Sequence, residues 1–167
     1  MRIIFYILFA SINSNILAQS SKKIEIVNSD NTYANINIHP QYWRLIGNVS
    51  FLHNNAIMTC DSAYHYISKN KIEAFGKVKI NQGDSLTLSG KTLIYSGKNN
   101  KADINGNVKL VEKEMSLSTN QIIYNLSTSI ASYPNAGTIL NNEKTIKSKK
   151  GEYNSNSNKF IFKDSVT

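Results

Sequence analysis

The chain has 167 residues, of which 41% are hydrophobic and 18% charged, and its 19 Lys and Arg against 11 Asp and Glu leave a net charge of +8. That length suits one domain with its own core and excludes two large ones. Cys60 is the only cysteine, so an intrachain disulfide is excluded and burial and hydrogen bonds must hold the fold.

Residues 1–18 differ from all that follow. Arg2 gives an early positive charge, Ile3 to Ala10 is an unbroken apolar run, and polar Ser11 to Asn15 leads to Ile16-Leu17-Ala18. A bilayer span needs about 20 apolar residues, so this run is too short. The pattern predicts a secretory signal peptide removed near Ala18 and a mature chain outside the cytoplasm. No cysteine lies near the cut, so no lipid anchor is expected there. The basic surplus favours anionic partners such as phosphorylated lipid. Its Lys-, Asn- and Ile-rich background has a second explanation in codon bias. Export, and basic residues that do not cluster with aromatics, argue against nucleic acid.

Residues 19–46 read as an irregular capping half-repeat that ends with Trp43 and Leu45. Beyond it the chain repeats itself. Tyr66, Tyr95, Tyr124 and Tyr153 are spaced 29 residues apart. Gly47-Asn48-Val49, Gly76-Lys77-Val78, Gly106-Asn107-Val108 and Gly137-Thr138-Ile139 open blocks at 47, 76, 106 and 137 within residues 47–167. Ala74, Ala102 and Ala131 follow their tyrosines by eight, seven and seven residues.

Each block holds an alternating strand, a polar turn and a second alternating stretch, as in Val78-Lys79-Ile80, Asn81 to Asp84 and Leu86-Thr87-Leu88. Period-two alternation broken by Gly, Asn and Asp means strands, so the fold class is all-β. The glycines fit turns or bulges that need positive φ. The tyrosines fit rings packed on the strand surface with hydroxyls in water. One face collects Val49, Phe51, Val78, Ile80, Leu86, Leu88, Val108, Leu110, Met115 and Leu117. Alternation alone favours a dry core for these ten; a lipid groove is the other use of the same pattern. Phe160 to Phe162 and Asp164 to Val166 resemble the start of a fifth block, as in a fragment or an end that joins another molecule.

Catalysis and metal binding find no support. Gly83 to Leu86 spells GDSL, an esterase nucleophile motif, yet His39, His53 and His65 all precede it where that chemistry needs a later histidine. His53, Cys60, Asp61 and His65 fit no standard zinc spacing. The chain is expected to be no enzyme, with no cofactor and no metal.

The stretches GNVSFLHNNAIMTCDSAYHY (47–66), AFGKVKINQGDSLTLSG (74–90) and FKDSV (162–166) resemble the OstA-like proteins of Bacteroidetes, relatives of LptA and of the N-terminal domain of LptD. The resemblance runs over roughly residues 22–167 as a phased repeat. It implies a repeat-built, open twisted β-jellyroll, the β-taco, in the periplasm. It implies a non-catalytic lipopolysaccharide-transport module whose apolar groove, lined by the ten residues above, shields the acyl chains of lipid A. The implied partners are lipopolysaccharide and, by end-to-end strand stacking, other Lpt-type jellyroll proteins or further copies of this chain, in a bridge to the outer membrane. The alternative is an exported structural or adhesive β-solenoid with a dry core.

Overall fold

The computed structural model describes residues 22–34, 37, 41–84, 86–142, 144–164, 166 and 167, so the expected signal peptide lies outside the described residues. The strands in chain order are β1 (Glu25–Asn28), β2 (Asn31–Ala34), β3 (Trp43–His53), β4 (Ala56–Tyr66), β5 (Lys71–Gln82), β6 (Leu86–Ser96) and β7 (Lys101–Glu112). There follow β8 (Met115–Asn125), β9 (Ile130–Tyr133), β10 (Gly137–Asn141), β11 (Lys144–Ser148), β12 (Lys150–Asn154) and β13 (Lys159–Lys163). All pair antiparallel in one open sheet, with β3 to β8 as neighbours in sequence order. No described helix is long and apolar enough to cross a membrane.

Every pairing among β3 to β8 shifts register near its middle. The cause is a bulge in alternate strands, formed by Gly47-Asn48, Gly76-Lys77 and Gly106-Asn107, where both residues of each pair have positive φ. At Gly76 (φ +74) a β-carbon would collide with the Asp61 carboxylate on the neighbouring strand, so glycine answers both the backbone and the close approach. These glycines therefore sit mid-strand. Gly137 starts β10 without a positive φ; there a side chain would press on the Tyr133 ring, 2.8 Å away.

The line of bulges divides the sheet into two arms. The first arm holds the 43–46, 62–66, 71–75, 92–96, 101–105 and 121–125 segments, extended at its ends by β2 and by β9, β12 and β13. The second holds 49–53, 56–60, 78–82, 86–90, 108–112 and 115–119, extended by β1 and by β10 and β11. The inner faces of both arms merge into one buried apolar cluster. Across the bend a β-carbon on Gly90 would meet Ile104, which shows how closely the arms pack beside the bulges.

Candidate functional site

All ten groove candidates lie on the second arm, and each is 7% exposed or less. Phe51, Ile80, Leu88, Leu110 and Leu117 stand directly opposite one another in consecutive strands, joined by Met58 on β4 and Ile139 on β10. Those seven side chains form an unbroken row about 29 Å long at the usual strand spacing near 4.8 Å. Val49, Val78 and Val108 flank the bulges, while Leu86 and Met115 lie near the hairpin tips. Burying each large aliphatic side chain contributes roughly 1.5–3 kcal/mol.

The facing half of the interior, on the first arm, escaped the alternation list. Its row nearest the tips runs His65, Ile72, Tyr95, Ala102, Tyr124, Ala131, Tyr153 and Phe160, each opposite the next. Two of the three alanine markers, Ala102 and Ala131, are thus explained: each leaves room between two tyrosine rings. A second row contributes Leu45, Ala63, Ala74, Leu93, Ile104 and Ile122. The stretches Leu93 to Tyr95 and Ile122 to Tyr124 carried this signal in the sequence.

The expected tyrosine geometry needs correction. Tyr95, Tyr124 and Tyr153 are buried, and their hydroxyls bind the other arm in place of water. Tyr66 does not belong to their series. It lies on the outer face with Tyr42, Tyr64 and Phe75, and His65 takes the inward place. A one-residue offset moves a side chain to the opposite face. Ala74, eight residues after Tyr66, belongs to the second inner row, and the place equivalent to Ala102 and Ala131 is taken by Ile72.

Three rungs join the arm tips. The Tyr95 hydroxyl donates to His53 Nδ1 at 2.6 Å, while His53 Nε2 lies 2.9 Å from the Lys22 carbonyl. A carbonyl only accepts, so Nε2 carries the proton and Nδ1 is the acceptor. The Tyr124 hydroxyl donates to Gln82 Oε1 at 2.8 Å, and Gln82 Nε2 donates to the Leu126 carbonyl at 2.9 Å. The Tyr153 hydroxyl donates to Glu112 Oε2 at 2.9 Å, and Ser155 Oγ donates to Glu112 Oε1 at 2.8 Å. Each tyrosine binds a residue 42, 42 or 41 positions earlier, the last residue of β3, β5 or β7. Burial raises the pKa of all three phenols, and at Tyr153 the Glu112 carboxylate adds to it.

The seam continues through the turns. Asn54 Nδ2 donates to Asn100 Oδ1 at 3.0 Å, linking a second-arm turn to a first-arm turn. The first-arm turns are linked to one another by Gly97 N to Asn70 O, Leu126 N to Asn100 O and Ser155 N to Ser129 O, at 2.8–2.9 Å. At the N-terminal end, Asn70 holds Ile24 N and the Lys22 carbonyl, which seats Ile24 in the core.

Two cavities open along the seam. One of about 250 Å³ is bounded by Gln82, Leu86, Glu112 and Tyr124, between the second and third rungs. Another of about 360 Å³ is bounded by Glu112, Met115, Asn141, Tyr153 and Phe160, beside the third. Leu86 and Met115 are thereby the two groove candidates at the cavity walls.

The decoy residues disperse. His53 is a rung, and Cys60 points inward, where burial pushes its thiol up to about 11. Asp61 crosses Gly76 on the outside, and no described cluster of His, Cys, Asp and Glu suits a metal. Ser85 lies outside the described residues.

The OstA-like protein family matches over residues 21–167. This chain belongs to the OstA-like family. The fold of this OstA-like chain is similar to that of LptH from Pseudomonas aeruginosa, the LptA-homologous periplasmic component of the lipopolysaccharide transport device of that organism. The two are 15% identical with a TM-score of 0.60, over 66% of this chain and 82% of LptH. The likeness is one of fold: an open, twisted, LptA-like β-jellyroll. No curated protein sequence matches the chain.

Proposed function

We propose that this OstA-like chain is a non-catalytic periplasmic module of lipopolysaccharide transport that shields acyl chains between its two arms. The observation that carries this reading is the apolar row from Phe51 to Ile139, unbroken across seven strands. Exposing an acyl chain of a dozen carbons to water costs roughly 10 kcal/mol, at about 0.8 kcal/mol per CH₂. A row of side chains running across strands offers continuous contact for such a chain, whereas an ordinary core needs no preferred direction. The family membership and the LptH-like fold support the same reading.

The ten groove candidates would then be the lipid-facing set, with Met58 and Ile139 added. Lipid A is the proposed ligand, and end-to-end strand pairing with another jellyroll, or a second copy, the proposed assembly. The direct test incubates the purified chain with lipid A and, separately, with a fluorescent dodecanoyl probe. Stable complexes with both are expected; exclusion of both sinks the reading.

One observation favours a dry structural solenoid instead: the same ten residues are buried already, so the interior is filled by its own side chains. That reading expects no probe uptake under any condition.

A further inference from the structure

We infer that the interior is loaded sideways, by parting the arms along the tyrosine seam, and that Tyr95, Tyr124 and Tyr153 with His53, Gln82 and Glu112 form the latch. The inference rests on the lipid-shielding reading and adds the route and the residues that govern it.

Three observations converge on the seam. Everywhere else adjacent segments are joined by backbone strand pairing, but where the arm tips meet, the described links are the three rungs, the Asn54–Asn100 bond and, at the N-terminal end, the bonds of Asn70 to Ile24 N and the Lys22 carbonyl. Opening there breaks no strand ladder. Opposite the seam runs the line of bulges, where the backbone of β3, β5 and β7 already departs from regular pairing, so hinge and latch lie on opposite edges of one buried interior. The two cavities sit on this line, with rung residues at their rims and Leu86 and Met115 in their walls. Threading from an end faces a harder path. At the N-terminal end Ile24 is tied in place through Asn70, and the inner row is buried along its length.

A tether across the seam tests this. In a Cys60→Ala background, Asn54→Cys and Asn100→Cys are joined by a short bifunctional thiol reagent that reductant cleaves. Uptake of the dodecanoyl probe is expected to slow at least tenfold when tethered and to recover on cleavage. In the untethered chain, Tyr124→Phe with Tyr153→Phe is expected to speed uptake, by about fivefold for each hydrogen bond removed. Equal uptake by the tethered and cleaved forms overturns sideways loading while leaving acyl binding intact.

If no form takes up probe, the lipid reading fails and the seam is judged without lipid. Cys60 is the single thiol of the natural chain, buried in the interior, so its rate of modification reports opening. Faster modification in the double Phe variant than in an Ile122→Val control of matched urea midpoint supports an opening seam. Equal rates overturn it.

Discussion

The two arms solve the same packing problem with different chemistry. The second arm lays down an apolar row, Phe51 to Ile139, with no hydrogen-bonding side chain in it. The first alternates tyrosine with alanine or isoleucine, so that each large ring has a small or slim neighbour and carries a hydroxyl to the opposite tips. One arm supplies apolar surface and the other supplies closure. Oily surface alone would hold the arms together without fixing their stagger, because the hydrophobic effect has no direction. The hydrogen bonds of the rungs do, and each is worth a net 1 kcal/mol or so.

The largest break in this comparison comes from the aliphatic arm. Leu88→Ala, at the centre of its row, should cost about 3 kcal/mol through lost burial and the cavity left behind, read as a fall in urea midpoint. A cost below about 1 kcal/mol would mean that the row is looser than its burial indicates. On the tyrosine arm, Tyr124→Phe should cost about 1 kcal/mol, and a double-mutant cycle with Gln82→Leu should return most of it as coupling. Additive single effects would show that the rung does not bind the arms.

His65 sharpens the contrast by pH. It occupies the inward place where tyrosines stand elsewhere, is buried against Phe51, and its Nδ1 finds no hydrogen-bond partner among the described residues. Burial lowers its pKa from the ordinary 6.5. The unfolded chain therefore binds the proton first as pH falls, so stability should drop as pH goes from about 7 down through 6.5 and below, until the folded histidine also titrates. His65→Phe should flatten the Tm against pH over that window; an unchanged slope would place the effect elsewhere. The smallest effect belongs to the hinge. Lys77 has φ +43 where the equivalent bulges use Asn48 and Asn107, so Lys77→Asn should stabilise by up to ~0.5 kcal/mol, measured by thermal melting.

Strands, block lengths and one inner face were legible in the sequence because alternation is a local property. The kink was not. In β5 the inward positions run Ile72, Ala74, Val78 and Ile80, with Gly76 standing in phase between them, so the bulge leaves the alternation undisturbed. The traces it did leave are the Gly-Lys and Gly-Asn pairs and a change of phase in the partner strands, as from Leu86 and Leu88 to Leu93 and Tyr95 in β6. The seam was less legible still. Its acceptors are chemically unlike, His53, Gln82 and Glu112, and they lie a repeat away from their tyrosines. The tyrosine period was visible; its partners become apparent only once the sheet is folded over.

That stagger gives the molecule the logic of overlapping roof tiles. Each rung ties a tyrosine of one block to a strand end of the block before it, so no block closes on itself. Inserting or deleting a whole block of 29 or 30 residues would carry its own rung and leave every other rung in register. A deletion one residue short would instead turn a tyrosine outward, as the chain already shows at Tyr66. Length in this architecture is thus free to change in steps of one rung, while anything shorter is penalised at the seam.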